Sequence, residues 1–371
     1  MNSVDSYTIG WIAALPIERA AALAVLDERY EAPEEFEQHP FDTNSYIWGR
    51  IDRHNIVIAS LPAGVPGNRS AAVTVAKFLS SLPHIKIGLL VGIGAGVARP
   101  DQGRDIRLGD VVVSQPQGRT GGVIQCDLGK AKMGQVWERS GILNTPPLVL
   151  LHAVAALQAE HEVSSPRIPM TLKEMWINNA QLWAITPLVH RPPTQGSKYI
   201  HQGVENDRLF KATFDHVEGD TCAKCDPAYE IKREARSAQD PWIHYGIIAS
   251  GDTIIEDAAT RDKILSDVGE DILCFDTVAA GVMHSFPCLV IKGISDYADS
   301  HKNDQWQRYA AATAAAYAKE LLGWIPGGQH PKIRTIDESS LPDHVPPEPN
   351  RHASRLFEDQ KSGDRSLEMV D

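Results

Sequence analysis

The chain has 371 residues, 43% of them hydrophobic, which is enough to bury a full α/β core. Asp and Glu outnumber Lys and Arg, 48 to 36, for a formal charge of −12; this excludes a nucleic-acid surface, because phosphate binding requires clustered cations. No apolar run reaches the ~18 residues of a membrane span, the first residues lack the basic stretch and cleavage site of a secretory leader, and five cysteines are few and odd in number. The expectation is a soluble cytoplasmic protein with no membrane or nucleic-acid partner.

Residues 7–14 read as a short buried strand. Pro16 suits a first helical turn, and the apolar run to Leu26 continues that helix. Residues 45–48 and 55–60 read as a β-hairpin. The stretch 68–82 is helical, with Ala71, Ala72, Val75, Phe78 and Leu79 on one face. Residues 87–91 form a continuous apolar strand, as in a sheet covered on both sides, and a glycine loop at 92–96 follows. Another strand is expected at 108–114, entered through a tight turn, and a helix at 146–160. Residues 164–240 are rich in Pro, Gln and His and read as an irregular insertion. Order resumes with a strand at 244–250 and a helix at 261–268. Cys274 and Phe275 lead into a helix at about 277–283, and Pro287 introduces a strand that starts at Cys288 and ends in Gly293-Ile-Ser-Asp296. An Ala-rich helix at 306–322 closes the domain, and 326–371 has no period and reads as a disordered tail. Alternating helices and apolar strands over 1–325 point to a single, mainly parallel α/β domain.

Three glycine-marked strand ends recur together: Val91-Gly-Ile-Gly-Ala-Gly96, Leu108-Gly-Asp-Val-Val-Val-Ser114 and Ala249-Ser-Gly-Asp252. With Gly293-Ile-Ser-Asp-Tyr-Ala-Asp299, and with Cys274 to Ala280 in the ribose-motif slot, this set resembles the nucleoside phosphorylase and nucleosidase superfamily. It looks especially like the fungal branch, and the resemblance covers roughly 7–322. It implies a three-layer α/β/α fold with a mainly parallel mixed sheet. It also implies a small-molecule substrate cleaved at its base–ribose bond, with water or phosphate as co-substrate and no cofactor. A homo-oligomer is expected.

Breaking an N-glycosidic bond builds positive charge on the sugar and negative charge on the base. Asp296, an acid at the carboxyl end of a strand, suits the proton donor. In the nucleosidases that the chain resembles, the matching acid protonates or hydrogen-bonds N7 of the purine, and Ser295 matches the residue that helps hold it. Such a donor needs a raised pKa, which a dry pocket supplies; the bland alternative is a turn cap. Glu18 matches a glutamate that activates the attacking water, its alternative being a surface residue favoured by the helix dipole. Gly92 and Gly94 would bring backbone N–H groups near a ligand. Phosphorylases usually carry Ser or Thr in this loop, whereas Ile93 and Ala95 stand here. Arg69 is the cation on offer for an anion, or simply an exposed helix residue. Loss of the hydroxyl with Glu18 retained favours water over phosphate. Ser250 and Asp252 match positions near the base pocket, although Asp252 also suits a turn. Asp110 is read as structural.

The main departure lies in Cys274-Phe-Asp-Thr-Val-Ala-Ala280, where the family carries Glu-Met-Glu-Ala-Ala. Thr277 and Val278 occupy the slots of the ribose-packing Met and the sugar-gripping second Glu. Asp276 falls where the first Glu belongs, with Phe275 before it. Each charged contact to a sugar hydroxyl is worth about 1.5–3 kcal/mol, so ribose binding should be weakened. Hydrolysis of a purine nucleoside or relative is the leading expectation. One alternative is a repurposed isomerase, lyase or cyclase acting on an apolar metabolite of secondary metabolism; another is a ligand-sensing module without turnover. Cys222-Ala-Lys-Cys225 has no second pair at finger spacing. It is read as a loop feature with no metal expected, His216 and His201 being candidate extra ligands. Trp176, Trp183 and the Pro-rich stretch 187–193 are read as a lid or as an insertion packed on itself.

Overall fold

In the computed structural model, residues 3–133, 136–179, 198–219 and 221–327 are described. The first half runs β1 (Tyr7–Ala13), α1 (Pro16–Ala24), β2 (Glu28–Tyr30), β3 (Tyr46–Ile51), β4 (His54–Ser60), α2 (Asn68–Ser81), β5 (Ile87–Gly96) and β6 (Val111–Ser114). There follow β7 (Val123–Gln125), the hairpin β8 (Gly129–Lys132) and β9 (Val136–Arg139), α3 (Leu148–His161) and α4 (Ile168–Asn178). The chain closes with β10 (Ile243–Ser250), α5 (Ala258–Val268), β11 (Ile272–Asp276), α6 (Ala279–Met283), β12 (Cys288–Asp296) and α7 (Gln307–Leu322).

Ten strands form one mixed sheet in the order β11-β10-β6-β12-β5-β1-β4-β3-β2, with β7 beside β10. The pairs β4–β1, β1–β5, β5–β12 and β6–β10–β11 are parallel, while β12–β6 and the β2–β3–β4 edge are antiparallel. Strand β11 also meets the far end of β5 antiparallel, Cys274 facing Gly96 and Phe275 facing Ala95. That contact closes β5, β12, β6, β10 and β11 into a hoop.

The period-two pleat sorts the apolar runs into two layers. Leu89, Val91, Val113 and Ile291 pack with Ala21 of α1, Leu150 of α3, Leu172 of α4 and Tyr317 of α7. Leu90, Val112 and Val290 point the other way, onto Val75 and Phe78 of α2 and Val282 and Met283 of α6. Burial on both faces explains why these strands read as unbroken apolar runs. Helix α7 lies directly on β12: a Cβ at Gly293 would sit 1.8 Å from the Ala310 carbonyl oxygen. This contact anchors the strand that ends in Asp296.

Several expectations are corrected. The glycine run at 92–96 is not a loop but the continuation of β5. The insertion at 164–240 is not wholly irregular, since it contains α4 and three short 3-10 turns. Strands β2, β7, β8, β9 and β11 were not expected; all are short, β8 and β9 forming a local hairpin of their own and the others held by the main sheet. The tight turn before β6 is present, with Gly109 at φ 91°. Trp176 packs against the core on the α7 side, and its indole N–H donates to the Tyr199 carbonyl at 2.8 Å. Trp183, residues 187–193 and the tail from 328 lie outside the described residues. Among the described residues no helix is long and apolar enough to cross a membrane.

Candidate active site

The carboxyl ends of β1, β5, β11 and β12 open onto a cavity of about 340 Å³. Leu15, Ile93, Ile254, Phe275 and Val278 give it an apolar wall, and Thr277 and Gly94 also line it. Its charged groups are Glu18, Asp276, Lys292, Asp296 and Lys302.

Glu18 sits in the first turn of α1, just past the end of β1. Its Oε2 accepts from the Ala14 and Leu15 amides at 2.6 and 2.8 Å, and Oε1 accepts from the Ile93 amide at 2.8 Å. A Cβ at position 92 would lie 2.3 Å from Oε1, so the glycine leaves room for the carboxylate. Burial raises the pKa of Glu18, opposed by Lys292 and the three amides. The anion-binding expectation for Gly92 is therefore corrected: the adjacent N–H serves Glu18, and a carboxylate stands where an anion would have to come.

Lys292 is a candidate site residue that the sequence motifs did not suggest. It is 1% exposed, and its Nζ lies 2.5 Å from Asp276 Oδ2. Burial pulls its pKa down, but Asp276 and Glu18 outweigh burial and hold it above the ordinary value. A signal was available: a lysine inside an otherwise apolar, doubly covered strand is a buried cation that needs carboxylates nearby.

Asp276 lines the cavity, but its bonds are directed into the protein. Oδ1 accepts from the Val278 and Ala279 amides at 2.8 and 2.5 Å, and Oδ2 holds Lys292. Ser250 is fully buried beneath it, its Oγ 3.2 Å from Asp276 Oδ1 and accepting from the Ala280 amide at 2.9 Å. It supports the cavity wall and does not line it. Asp252 is also corrected: its carboxylate accepts from the Asn68 amide at 2.8 Å and so caps α2. Asp252 and the exposed Arg69 line a separate groove on the surface.

Asp296 faces the cavity and is 7% exposed. Its Oδ2 accepts from Ser295 Oγ at 2.9 Å and Oδ1 from the Ala298 amide at 3.0 Å. Ala298 has φ 52°, a left-handed conformation unusual for an L side chain, and this turn aims its amide at the acid. Burial raises the pKa of Asp296, with the Ala298 amide, the Ser295 hydroxyl and Lys302 pulling the other way. Glu18 and Asp296 thus enter one cavity from different strand ends, one beside a lysine and the other held by two neutral donors.

No family model matches the chain. Over 318 residues, 86% of the chain, it is 37% identical to a nucleotide-binding leucine-rich repeat (NLR)-like protein of Hyaloscypha variabilis. The chain spans 29% of the length of that protein. Among solved structures it is similar to the 5′-methylthioadenosine/S-adenosylhomocysteine nucleosidase of Neisseria meningitidis in complex with methylthio-immucillin-A. The TM-score is 0.52 at 15% identity, over 85% of this chain and 98% of that one. The futalosine hydrolase of Helicobacter pylori matches with a TM-score of 0.51 at 15% identity, over 86% of this chain and 99% of that one. The chain has the three-layer α/β fold of the nucleosidases.

Proposed function

We propose that this protein hydrolyses the N-glycosidic bond of a purine nucleoside or a close relative. One observation carries the reading: of the three buried carboxyls that line one cavity, Asp276 and Glu18 share the charge of Lys292, while Asp296 has no ion-pair partner among the described residues. Lys292 favours the ionised form of Glu18, while its raised pKa improves it as a base near neutrality. Three amides occupy both its oxygens, and a remaining lone pair takes the proton of the attacking water. Burial outweighs Lys302 and the two hydrogen bonds and raises the pKa of Asp296, which suits it to give a proton to the departing base.

Water is favoured over phosphate for an electrostatic reason. The charge of Lys292 is already matched by Asp276 and Glu18, and Ile93 and Ala95 offer no hydroxyl. The apolar wall at Val278 favours a substrate whose sugar end is gripped weakly. The same wall supports the second reading, an isomerase, lyase or cyclase acting on an apolar metabolite with Asp296 as its acid. The NLR-like relative supports the fungal branch and a third role, a ligand-sensing part of a larger protein. A cytoplasmic homo-oligomer completes the proposal.

The test is a nucleoside panel, incubated with and without phosphate and assayed for free base. Base release that is indifferent to phosphate is expected. Release that strictly requires phosphate would overturn the hydrolytic assignment. Ligand-induced thermal stabilisation with no release would favour sensing.

A further inference from the structure

The loop between α4 and β10 carries chemistry that the cavity does not use. A ring nitrogen of His216 and the sulfurs of Cys222 and Cys225 lie within 4.8 Å of one another. Both cysteines belong to one tight turn, in which the Cys225 amide donates to the Cys222 carbonyl at 3.0 Å. Arg208 donates to the carbonyls of both cysteines and rests on the Phe210 ring, 4.7 Å from its centre. The turn is therefore held by its backbone, and its thiols are left to face His216.

A second observation comes from the segment after β12. His301 is 7% exposed, and among the described residues neither of its ring nitrogens has a hydrogen-bond partner. Its Nδ1 is 3.6 Å from Asp299 Oδ1, too far for a hydrogen bond. A buried imidazole with both nitrogens unmet is costly and calls for a partner. Its ring lies flat on Phe210 at 4.1 Å and meets the His216 ring edge-on, centre to centre 5.5 Å. Two imidazoles on one tetrahedral ion, with metal–nitrogen bonds of about 2.0–2.1 Å, place their ring centres roughly 5 Å apart, so His301, whose nitrogens lie outside the 4.8 Å group, has to move closer to complete the set.

We propose that His216, Cys222, Cys225 and His301 hold a structural zinc ion. Two thiolates and two imidazoles suit tetrahedral zinc, and binding displaces the two thiol protons. None of the four residues lines the cavity, so the site is independent of the catalytic reading. Its role follows from its position. The His216 amide donates to Ser300 Oγ at 3.0 Å, so the ion would fasten this loop to the segment between Asp296 and Lys302. Of the extra ligands expected from sequence, His216 joins the cysteines, whereas His201 packs on Trp306 and Tyr309; a ligand from beyond β12 leaves no finger spacing to read.

The test uses the full chain, purified without chelators. Elemental analysis should find one zinc per chain, and cobalt substitution should give a thiolate charge-transfer band with intense tetrahedral d–d bands. His301→Gln should keep the charge-transfer band and weaken metal binding at least about tenfold in chelator competition. Cys222→Ser with Cys225→Ser should lose both metal and band. Wild-type protein without metal overturns the proposal, whether its two cysteines are alkylated freely or joined in a disulfide. Weak octahedral cobalt bands, or unchanged affinity in the His301→Gln protein, overturn the four-ligand assignment. Metal content and cobalt spectrum are read on the wild type, so a variant that fails to fold does not blunt the test.

Discussion

Asp110 and Asp296 are both buried, 1% and 7% exposed, and they stand at the junction of β6 and β12, where the Ile294 amide donates to the Asp110 carbonyl. Around Asp110 the protein gathers Arg236 at 2.6 and 2.7 Å, His244 at 2.9 Å, and the amides of Arg107 and Trp242. Burial alone would raise its pKa, but Arg236 and His244 outweigh it and hold the carboxyl below its ordinary value. Asp296 accepts from one hydroxyl and one amide and feels Lys302 without pairing with it, and burial wins. Depth is nearly the same, so directly paired cations decide which aspartate is held ionised as a strut and which suits the proposed proton donor.

The sharpest way to break this contrast is Asp296→Asn. It should lower turnover by about 10²–10⁴-fold while circular dichroism stays unchanged, because the amide oxygen still accepts from Ala298. Undiminished base release would remove Asp296 from the chemistry. Next comes Asp110→Asn, which leaves Arg236 without its counter-charge. It should cost about 3 kcal/mol in urea unfolding, with turnover per folded molecule unchanged. A stable variant with altered turnover would erase the distinction.

Smaller effects sharpen it. Val278→Glu restores a carboxylate in the ribose slot and should lower KM for ribonucleosides about tenfold. No change in a folded variant would favour an apolar substrate instead. The smallest effect is in the pH dependence of stability. Asp296 is raised, so above its ordinary pKa the folded state holds a proton that the unfolded chain has lost. Stability therefore falls as pH rises through that window, and Asp296→Asn should flatten the slope. Asp110 is depressed, so its stabilisation is present above its ordinary pKa and is lost on acidification. Asp110→Asn should weaken acid unfolding. Slopes of the opposite sign in chemical denaturation across pH would contradict both assignments.

The sequence made legible whatever is local. Short continuous apolar runs located β1, β4, β5, β10 and β12, and Glu18 and Asp296 followed from motif position. What it hid depends on distant contacts. Gly92 reads as a phosphate-loop glycine until the Glu18 carboxylate is seen against it. Asp252 reads as a pocket residue until it is found capping α2. Lys292 looks like a stray charge until Asp276 closes on it. The pairing of β5 with β11 has no local signature, because its register is set by the whole sheet.

That pairing has a kinetic consequence. With β5 and β11 joined, the floor of the cavity cannot part without breaking the sheet. Entry and escape are left to the rim, where Pro66 comes from one loop and Thr253, Ile254 and Ile255 from another. The expected outcome is that the amides of those loops exchange with solvent long before those of Gly96 and Phe275.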